Sequence, residues 1–169
     1  MNEVLNCLET RRSVRKYLPK QIADTELNAI LEAGIYAPTA MGRQSPKIVV
    51  LQKPEDVAEL ERMNAAVLGN PDSHPFYGAP TVLVVLADAK AGTAVEDGSL
   101  VLGNLMNAAH ALGVGSCWIH RAREEFASDE GKALLKRWGI EGDWVGVGHC
   151  ILGYAAEPAA PAKPRKADY

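Results

Sequence analysis

Two short basic segments lie near opposite ends of the sequence, at residues 11–16 and 161–166. The groups in them that suit a phosphate dianion are Arg11, Arg12, Ser13, Arg15, Lys163 and Arg165. Guanidinium forks, a hydroxyl group and backbone amides can all bind phosphate oxygens. Prolines hold the second segment extended, so that alternate side chains can point the same way. Taken alone, each segment also reads as a solvated basic turn or a polar tail, and neither is decisive.

A third candidate site is the loop at residues 37–46, which joins a predicted helix to a predicted strand. It combines turn-forming residues with small hydrogen-bonding ones, and a flat aromatic ring could rest against it, although a generic helix-to-strand connection would have a similar sequence.

The glycine motif at residues 113–115 also follows a helix and enters a strand. The dinucleotide fingerprint needs a strand, a glycine loop and then a helix, so the sequence excludes a Rossmann site here.

Nucleophilic and metal-binding residues form no recognisable set. The cysteines and histidines are widely spaced, without a C-x-x-C or an H-x-x-x-H pair. Neither a Ser/His/Asp nor a Cys/His arrangement has helpful spacing. His120 could donate a proton to a product, but a structural histidine is the simpler interpretation. We therefore predict no catalytic side chain, no protein-held metal, and cysteines that are reduced and buried.

The composition favours one ordinary domain and argues against several classes of partner. The chain has 169 residues, of which 47% are hydrophobic and 23% charged, with a formal charge of -3. Without an overall basic field or aromatic residues interleaved with the basic ones, neither nucleic acid nor an anionic membrane is the expected partner. No apolar run reaches the roughly 18 residues that span a bilayer, and the first residues lack the regions of a signal peptide. The sequence predicts a cytoplasmic protein.

The elements that must position these groups follow from hydrophobic periodicity. Helices are predicted at residues 4–10, from 24 or 25 to 37, from 54, at 96–112 and at 128–137; strands are predicted at 47–52, 81–87, 117–120 and 145–153. The valine-rich strand at 81–87 is apolar throughout and is predicted to be the sheet centre. Expected helix caps are Asn2 and either Asp24 or Thr25. The proline-containing tail is predicted to be an extended arm, and the elements suit a sheet covered by helices on both faces.

Five motifs, in this order, resemble the nitroreductase family of FMN enzymes. They are Arg-Arg-Ser-x-Arg from residue 11, Ala-Pro-Thr-Ala-Met-Gly-Arg-Gln from 37, Gly-Ala-Pro from 78, Ala-Leu-Gly-Val-Gly-Ser-Cys-Trp-Ile from 111, and Gly-Tyr from 153 followed by Pro-x-Lys-x-Arg from 161. Each motif is weak by itself. Five of them at plausible separations are far more specific, and they cover nearly the whole chain.

The resemblance implies an α+β fold in which a mixed central sheet is flanked by helices on both faces, with an extended C-terminal arm. It implies one FMN-binding domain over residues 1–169 and an obligate homodimer with two FMN sites at the interface. The implied activity is a ping-pong oxidoreductase. NADH or NADPH reduces the flavin, and a nitroaromatic, a quinone or a related electrophilic small molecule then accepts the hydride, while the protein supplies orientation and electrostatics.

The resemblance also implies cofactor-binding roles. The residues that would hold the phosphate and ribityl chain are Arg11, Arg12, Ser13 and Arg15, with Lys163 and Arg165 closing over the phosphate. The residues that would pack on the flavin from the other subunit are Pro38, Thr39, Ala40 and Gly42. Backbone groups at the isoalloxazine edge would come from Ile119, His120 and Arg121, and Asn70 would contact the pyrimidine ring.

Two departures from the family pattern bear on function. Where related sequences commonly read Met-Asn-Arg-Gln-Pro-Trp, residues 41–46 read Met-Gly-Arg-Gln-Ser-Pro, so an asparagine and a tryptophan are missing. The segment at residues 87–96 is too short for the helical excursion that covers the active site in longer relatives. Two alternatives stay open: a same-fold flavoprotein with one specialised substrate or a flavin-storage role, and a non-enzymatic interaction module.

Overall fold

The computed structural model describes residues 2–169 and contains helices packed on one central sheet. The helices are α1 (Glu3–Thr10), α2 (Asp24–Ile35), α3 (Pro54–Leu68), α4 (Ala94–Ala111), α5 (Ala122–Ala127) and α6 (Asp129–Arg137). The strands are β1 (Pro46–Leu51), β2 (Thr81–Asp88), β3 (Gly115–Ile119) and β4 (Trp144–Gly153). The predicted strands are confirmed to within a few residues.

The sheet has the strand order β1-β2-β4-β3, and each of these pairings is antiparallel. The valine-rich strand β2 lies inside the sheet and is buried from Thr81 to Ala87, as its apolar sequence predicts. The implied mixed sheet is therefore antiparallel in its four strands, and its parallel pairing is limited to an isolated bridge between Ser13 and Ser116 beside β3. The α+β class is confirmed.

Helices cover both faces of the sheet, as predicted. Alternate residues of β2 point to opposite faces, so Val82, Val84 and Leu86 belong to one core cluster and the intervening residues belong to the other. The first cluster contains apolar side chains of α3, α5 and α6. The second contains apolar side chains of α2 and α4.

The helix ends agree with the sequence in part. Asn2 caps α1, since its side chain accepts a hydrogen bond from the backbone N–H of Val4 at 2.9 Å. The predicted cap of α2 at Asp24 or Thr25 is wrong. Ala23 precedes the helix instead, and the carboxylate of Glu26 folds back to accept from the Ala23 N–H at 2.9 Å. Helix α5 was not predicted, because six residues are too few to display a period.

Helix α1 leaves apolar side chains uncovered in the single chain. None of its residues is buried, and Val4, Leu5 and Leu8 are 65%, 53% and 53% exposed. Val4 and Leu8 border an apolar cavity of about 400 Å³ that also reaches α4. Within residues 2–169, no helix is both long and apolar enough to cross a bilayer.

Two of the three cysteines are buried, as predicted, and the third is not. Cys117 and Cys150 lie in the core, whereas Cys7 is partly exposed on α1. Burial raises the pKa of the Cys150 thiol, which keeps it protonated and unreactive. Cys7 departs from the prediction because α1 itself lies on the surface.

Candidate functional site

The structure brings the two basic segments together. A cavity of about 500 Å³ lies between them, and its lining includes Arg11, Arg12, Ser13, Arg15, Lys163 and Arg165. The remaining lining residues are Ala160, Pro161 and Ala162 of the arm. No carboxylate in the described part of the chain lines this cavity. We call it the basic cavity.

Backbone pairing at one end of the sheet holds both walls of the basic cavity. The N–H of Val14 donates to the carbonyl of Ser116 in β3 at 2.9 Å. Just beyond, the N–H of Ala156 donates to the carbonyl of Lys16 at 3.0 Å, so the arm leaves β4 alongside the first basic segment. An exposed ion pair between Lys16 and Glu157, 2.8 Å apart, joins the segments at the rim. Residues distant in sequence therefore face each other because β3 and β4 are neighbours.

The arginines of the first segment present unused donors. Arg11 Nη1 and Arg12 Nε are buried and lack a hydrogen-bond partner within residues 2–169. Arg12 is nevertheless held in place, because its Nη1 donates to the carbonyls of Glu9 at 2.8 Å and Arg11 at 2.6 Å. Burial, together with the positive charges of Arg11 and Arg12, lowers the pKa of His110 on α4. Buried cationic donors without acceptors fit a bound phosphate dianion.

The three residues predicted at the isoalloxazine edge form the corner between β3 and α5. Ile119 ends β3, His120 is exposed, and Arg121 has the left-handed φ of 81°. Asn64, fully buried on α3, donates from Nδ2 to the His120 carbonyl at 2.9 Å. Its Oδ1 accepts from Arg121 Nε at 3.0 Å. A non-glycine residue in this conformation requires such support from its surroundings.

A buried pair of titratable side chains lies under the same corner. Glu125 Oε2 and His149 Nε2 are 2.5 Å apart, and both side chains are fully buried. His149 is also the cross-strand partner of Ile119, and the Glu125 N–H donates to the carbonyl of Arg121 at 3.1 Å. The pair thus fastens α5 to β4 directly behind the corner.

The loop that was predicted to touch the flavin has an unusual backbone. Met41, Gly42 and Gln44 have φ values of 57°, 64° and 51°. The Thr39 hydroxyl oxygen accepts from the Gln44 N–H at 2.9 Å. Such conformations are sparsely populated for residues other than glycine, and they cluster at functional sites.

Asp97, near the start of α4, anchors this loop through hydrogen bonds. It is 3% exposed, and its Oδ1 accepts from the Ala40 N–H at 3.0 Å. Its Oδ2 accepts from the hydroxyl groups of Ser45 and Thr93, each at 3.2 Å. The carboxylate therefore sets the shape of residues 39–45.

Within one chain, this loop and the basic cavity lie at opposite ends of the sheet. In the strand register, Ser116, beside the cavity, pairs with Leu152, which in turn pairs with Thr81 of β2. Pro46, at the end of the loop, pairs with Ala87 of β2. The six residue steps from Thr81 to Ala87 separate these two positions by about 20 Å. The predicted residues Pro38, Thr39, Ala40 and Gly42 therefore do not join the cavity of their own chain.

Asn70 stands in the turn after α3 and is exposed. Its carbonyl accepts from the N–H and the hydroxyl of Ser73, at 3.0 and 2.7 Å. Its side chain makes no hydrogen bond with any described residue, so the structure leaves its predicted role as a prediction.

Sequence reasoning missed the buried polar residues that support the site, namely Asn64, Asp97, Glu125 and His149. A signal was present for Asn64, which follows Met63 on the apolar face of α3 and has the spacing of a core residue from Leu60. A polar side chain at a core position requires a buried partner. The partner itself is distant in sequence and appears only in the fold.

Comparisons with known proteins agree with this architecture. The family described as the Nitroreductase family matches residues 8–76 and 70–154. A protein from Archaeoglobus fulgidus, named as an NADH dehydrogenase/NAD(P)H nitroreductase, is 32% identical over 159 residues, which are 91% of this chain and 86% of that protein. A protein of the same name from Methanothermobacter thermautotrophicus is 30% identical over 124 residues, 69% of this chain and 60% of that protein.

A solved structure matches nearly the whole fold. The crystal structure of a nitroreductase with bound FMN from Bacteroides fragilis superposes with a TM-score of 0.89 and 34% identity, covering 99% of this chain and 96% of that chain. The family match extends over most of the sequence, and the superposition covers nearly all of it. The chain belongs to the nitroreductase family.

Proposed function

We propose that this protein is an FMN-dependent oxidoreductase that takes hydride from NADH or NADPH and passes it to a nitroaromatic, a quinone or a related acceptor by a ping-pong mechanism. The observation that carries the proposal is the basic cavity, where the two basic segments meet around buried arginine donors that have no acceptor within residues 2–169. The chain would act as one FMN-binding domain. Family membership and the FMN-bound relative support the choice of cofactor.

The residues of the basic cavity would hold the FMN phosphate. Arginine forks and the Ser13 hydroxyl supply charge-assisted and neutral hydrogen bonds to phosphate oxygens. From Ser116, beside the cavity, β3 leads to the corner at residues 119–121, a distance of about 13 Å over four residues. That corner and Asn70 would hold the isoalloxazine ring.

Bound FMN supplies reversible hydride acceptance, and the side chains of this protein supply position and electrostatics. Asn64 and the Glu125–His149 pair hold the corner at residues 119–121 in a fixed backbone geometry. The cations of the basic cavity offset the charge of the phosphate. No side chain needs to act as a nucleophile.

We further propose that the site is completed by a second copy of the chain. The loop at residues 38–42 is about 20 Å from the cavity of its own chain, so it would pack on the flavin of its partner. The uncovered apolar side chains of α1 are suited to a subunit interface, since their burial removes apolar area from water. The protein would therefore be a homodimer with two composite sites.

Purification tests the proposal directly. We expect a yellow dimer that releases FMN on heating, bleaches on addition of NADH or NADPH, and recovers its colour when a nitroaromatic or a quinone is added. Bleaching without recovery under a panel of acceptors would favour a specialised substrate, and no bleaching would favour a flavin store. A colourless protein without FMN affinity would contradict the proposal.

The composite site has its own test. Replacing Leu5 and Leu8 by glutamate is expected to produce a monomer that also loses FMN, because the loop of the partner no longer reaches the flavin. The control is Ala133→Glu on the exposed face of α6. Light scattering and flavin fluorescence measure both properties. A monomer that retains full FMN affinity would refute the composite site.

A further inference from the structure

A second cavity, of about 360 Å³, lies beside the loop at residues 38–44. Its walls come from the end of that loop, from the connection between β2 and α4, and from the start of β4. The lining residues are Arg43, Gln44, Ser45, Asp88, Lys90, Ala91 and Trp144. None of them belongs to the basic cavity. We call this the loop cavity.

The cations of the loop cavity have no ionic partner among the described residues. Among residues 2–169, neither Arg43 nor Lys90 forms a salt bridge, and the Arg43 guanidinium contacts the sulfur of Met41 at 3.4 Å. The single carboxylate in the lining belongs to Asp88, whose Oδ1 accepts from the Lys90 N–H at 2.9 Å and so holds the turn. The charge that faces the cavity is therefore mainly positive.

One wall of the loop cavity is a flat aromatic surface. Trp144 is partly buried, and its indole N–H is already bonded to the Glu141 carbonyl at 2.9 Å. The ammonium group of Lys47 lies 5.3 Å from the centre of the indole ring and adds positive charge nearby. An aromatic face next to unpaired cations suits a planar ligand that carries an anionic group.

The loop cavity is joined rigidly to the loop that would touch the flavin of the partner subunit. Arg43 follows Gly42 directly, and the Gln44 N–H is bonded to Thr39 Oγ1. Ser45 shares the Asp97 carboxylate with Ala40. The cations of the loop cavity therefore stay adjacent to residues 38–42, whichever surface those residues contact.

We propose that Arg43 and Lys90 bind an anionic group, a carboxylate or a phosphate, on a substrate of the flavin, while Trp144 packs against the planar part of that substrate. This inference rests on the proposed function, since it places the loop cavity next to the flavin of the partner subunit. Guanidinium and ammonium groups recognise both anions through charge-assisted hydrogen bonds. The anionic group belongs either to an acidic electron acceptor or to the 2′-phosphate of NADPH.

The experiment compares the dimeric holoenzyme with the double variant Arg43→Ala/Lys90→Ala. The matched control is Lys132→Ala/Lys136→Ala, which removes the same charge from the exposed surface of α6. Benzoate and benzamide, which are redox-inert and nearly isosteric, serve as probes, and their dissociation constants are read from the change in flavin absorbance. We expect the preference for benzoate to fall about ten-fold in the double variant, to persist in the control, and to weaken with added salt.

Steady-state kinetics then separate the two sources of the anion. A fall in the ratio of kcat/KM for 4-nitrobenzoate over 4-nitrobenzamide assigns the cavity to the acceptor. A fall in the ratio for NADPH over NADH assigns it to the donor phosphate. If neither ratio nor the benzoate preference changes in a variant that binds FMN and turns over, the loop cavity is not an anion site. An unmodified chain that binds no FMN would overturn the proposed function itself, and this inference with it.

Discussion

Replacing Arg11 by methionine is expected to weaken FMN binding without destabilising the cofactor-free protein. Arg11 Nη1 is buried and has no acceptor within the described residues. A buried donor that lacks an acceptor opposes folding, and an apolar side chain of similar length removes that penalty. The same nitrogen is a ready donor to a phosphate oxygen. The substitution should therefore move affinity and stability in different directions.

The expected magnitudes follow from this geometry. A hydrogen bond to a charged group contributes about 1.5 to 3 kcal/mol. A loss of about 2 kcal/mol raises the dissociation constant of FMN about 30-fold. At an FMN concentration of 100 times the original dissociation constant, the cofactor stabilises the original protein by about 2.7 kcal/mol and the variant by about 0.9 kcal/mol. Without FMN, the free energy of unfolding should be equal or higher by about 1 kcal/mol.

The assay is urea unfolding of both proteins with and without FMN, together with a fluorescence titration of the flavin. Arg137→Met on α6 is the control and should keep the FMN affinity, because it breaks an exposed pair with Glu59 and neither residue lines the basic cavity. Arg11→Lys should bind with intermediate affinity, because it keeps the charge and loses the fork. If Arg11→Met lowers stability and affinity together, or leaves affinity unchanged, Arg11 is structural and the reasoning fails.

Three further outcomes are expected. The pKa of His110 is lowered in the folded protein, so the unfolded chain protonates this imidazole first, and the cofactor-free protein should lose stability as the pH falls below about 6.5. His110→Gln should flatten this pH dependence. Binding of the FMN phosphate should raise the pKa of His110 in an NMR titration. Trypsin should cut the exposed arm after Arg165 or Lys166 about ten-fold more slowly when FMN is bound, since binding closes the arm. Equal rates would argue against an arm contact. Asp97→Ala should lower the free energy of unfolding by about 1 to 3 kcal/mol and weaken FMN binding, because the Ala40 N–H loses its acceptor. Asp97→Asn should retain most of the stability and most of the FMN affinity in the same urea and titration assays.

Much of the fold could be predicted because local rules decide it. The valine run of β2 is apolar on both faces and lies inside the sheet. Asn2 caps α1 through a contact two residues away. The errors are also local: the cap of α2 is carried by Glu26 rather than by a side chain at the cap position, and α5 is too short to show a period.

The candidate site could be predicted as residue types but not as an arrangement. The residue types predict Arg11 and Arg165 as phosphate ligands, and the structure shows that both residues line one cavity. The role of Asn64 could not be predicted, because its partners at the corner, His120 and Arg121, are more than fifty residues away. The pair of Glu125 and His149 was likewise invisible, since neither residue has a motif around it.

The sequence by itself determined the elements, the buried centre of the sheet and the chemistry available at each end of the chain, because periodicity, capping and side-chain charge are properties of neighbouring residues. Only the tertiary structure decided that Arg11 and Arg165 share one cavity, and that the loop at residues 38–42 lies at the other end of the sheet. The physical reason is that strand order and register depend on the burial of the whole core. The residues next to a strand in the sequence do not indicate which distant strand pairs with it.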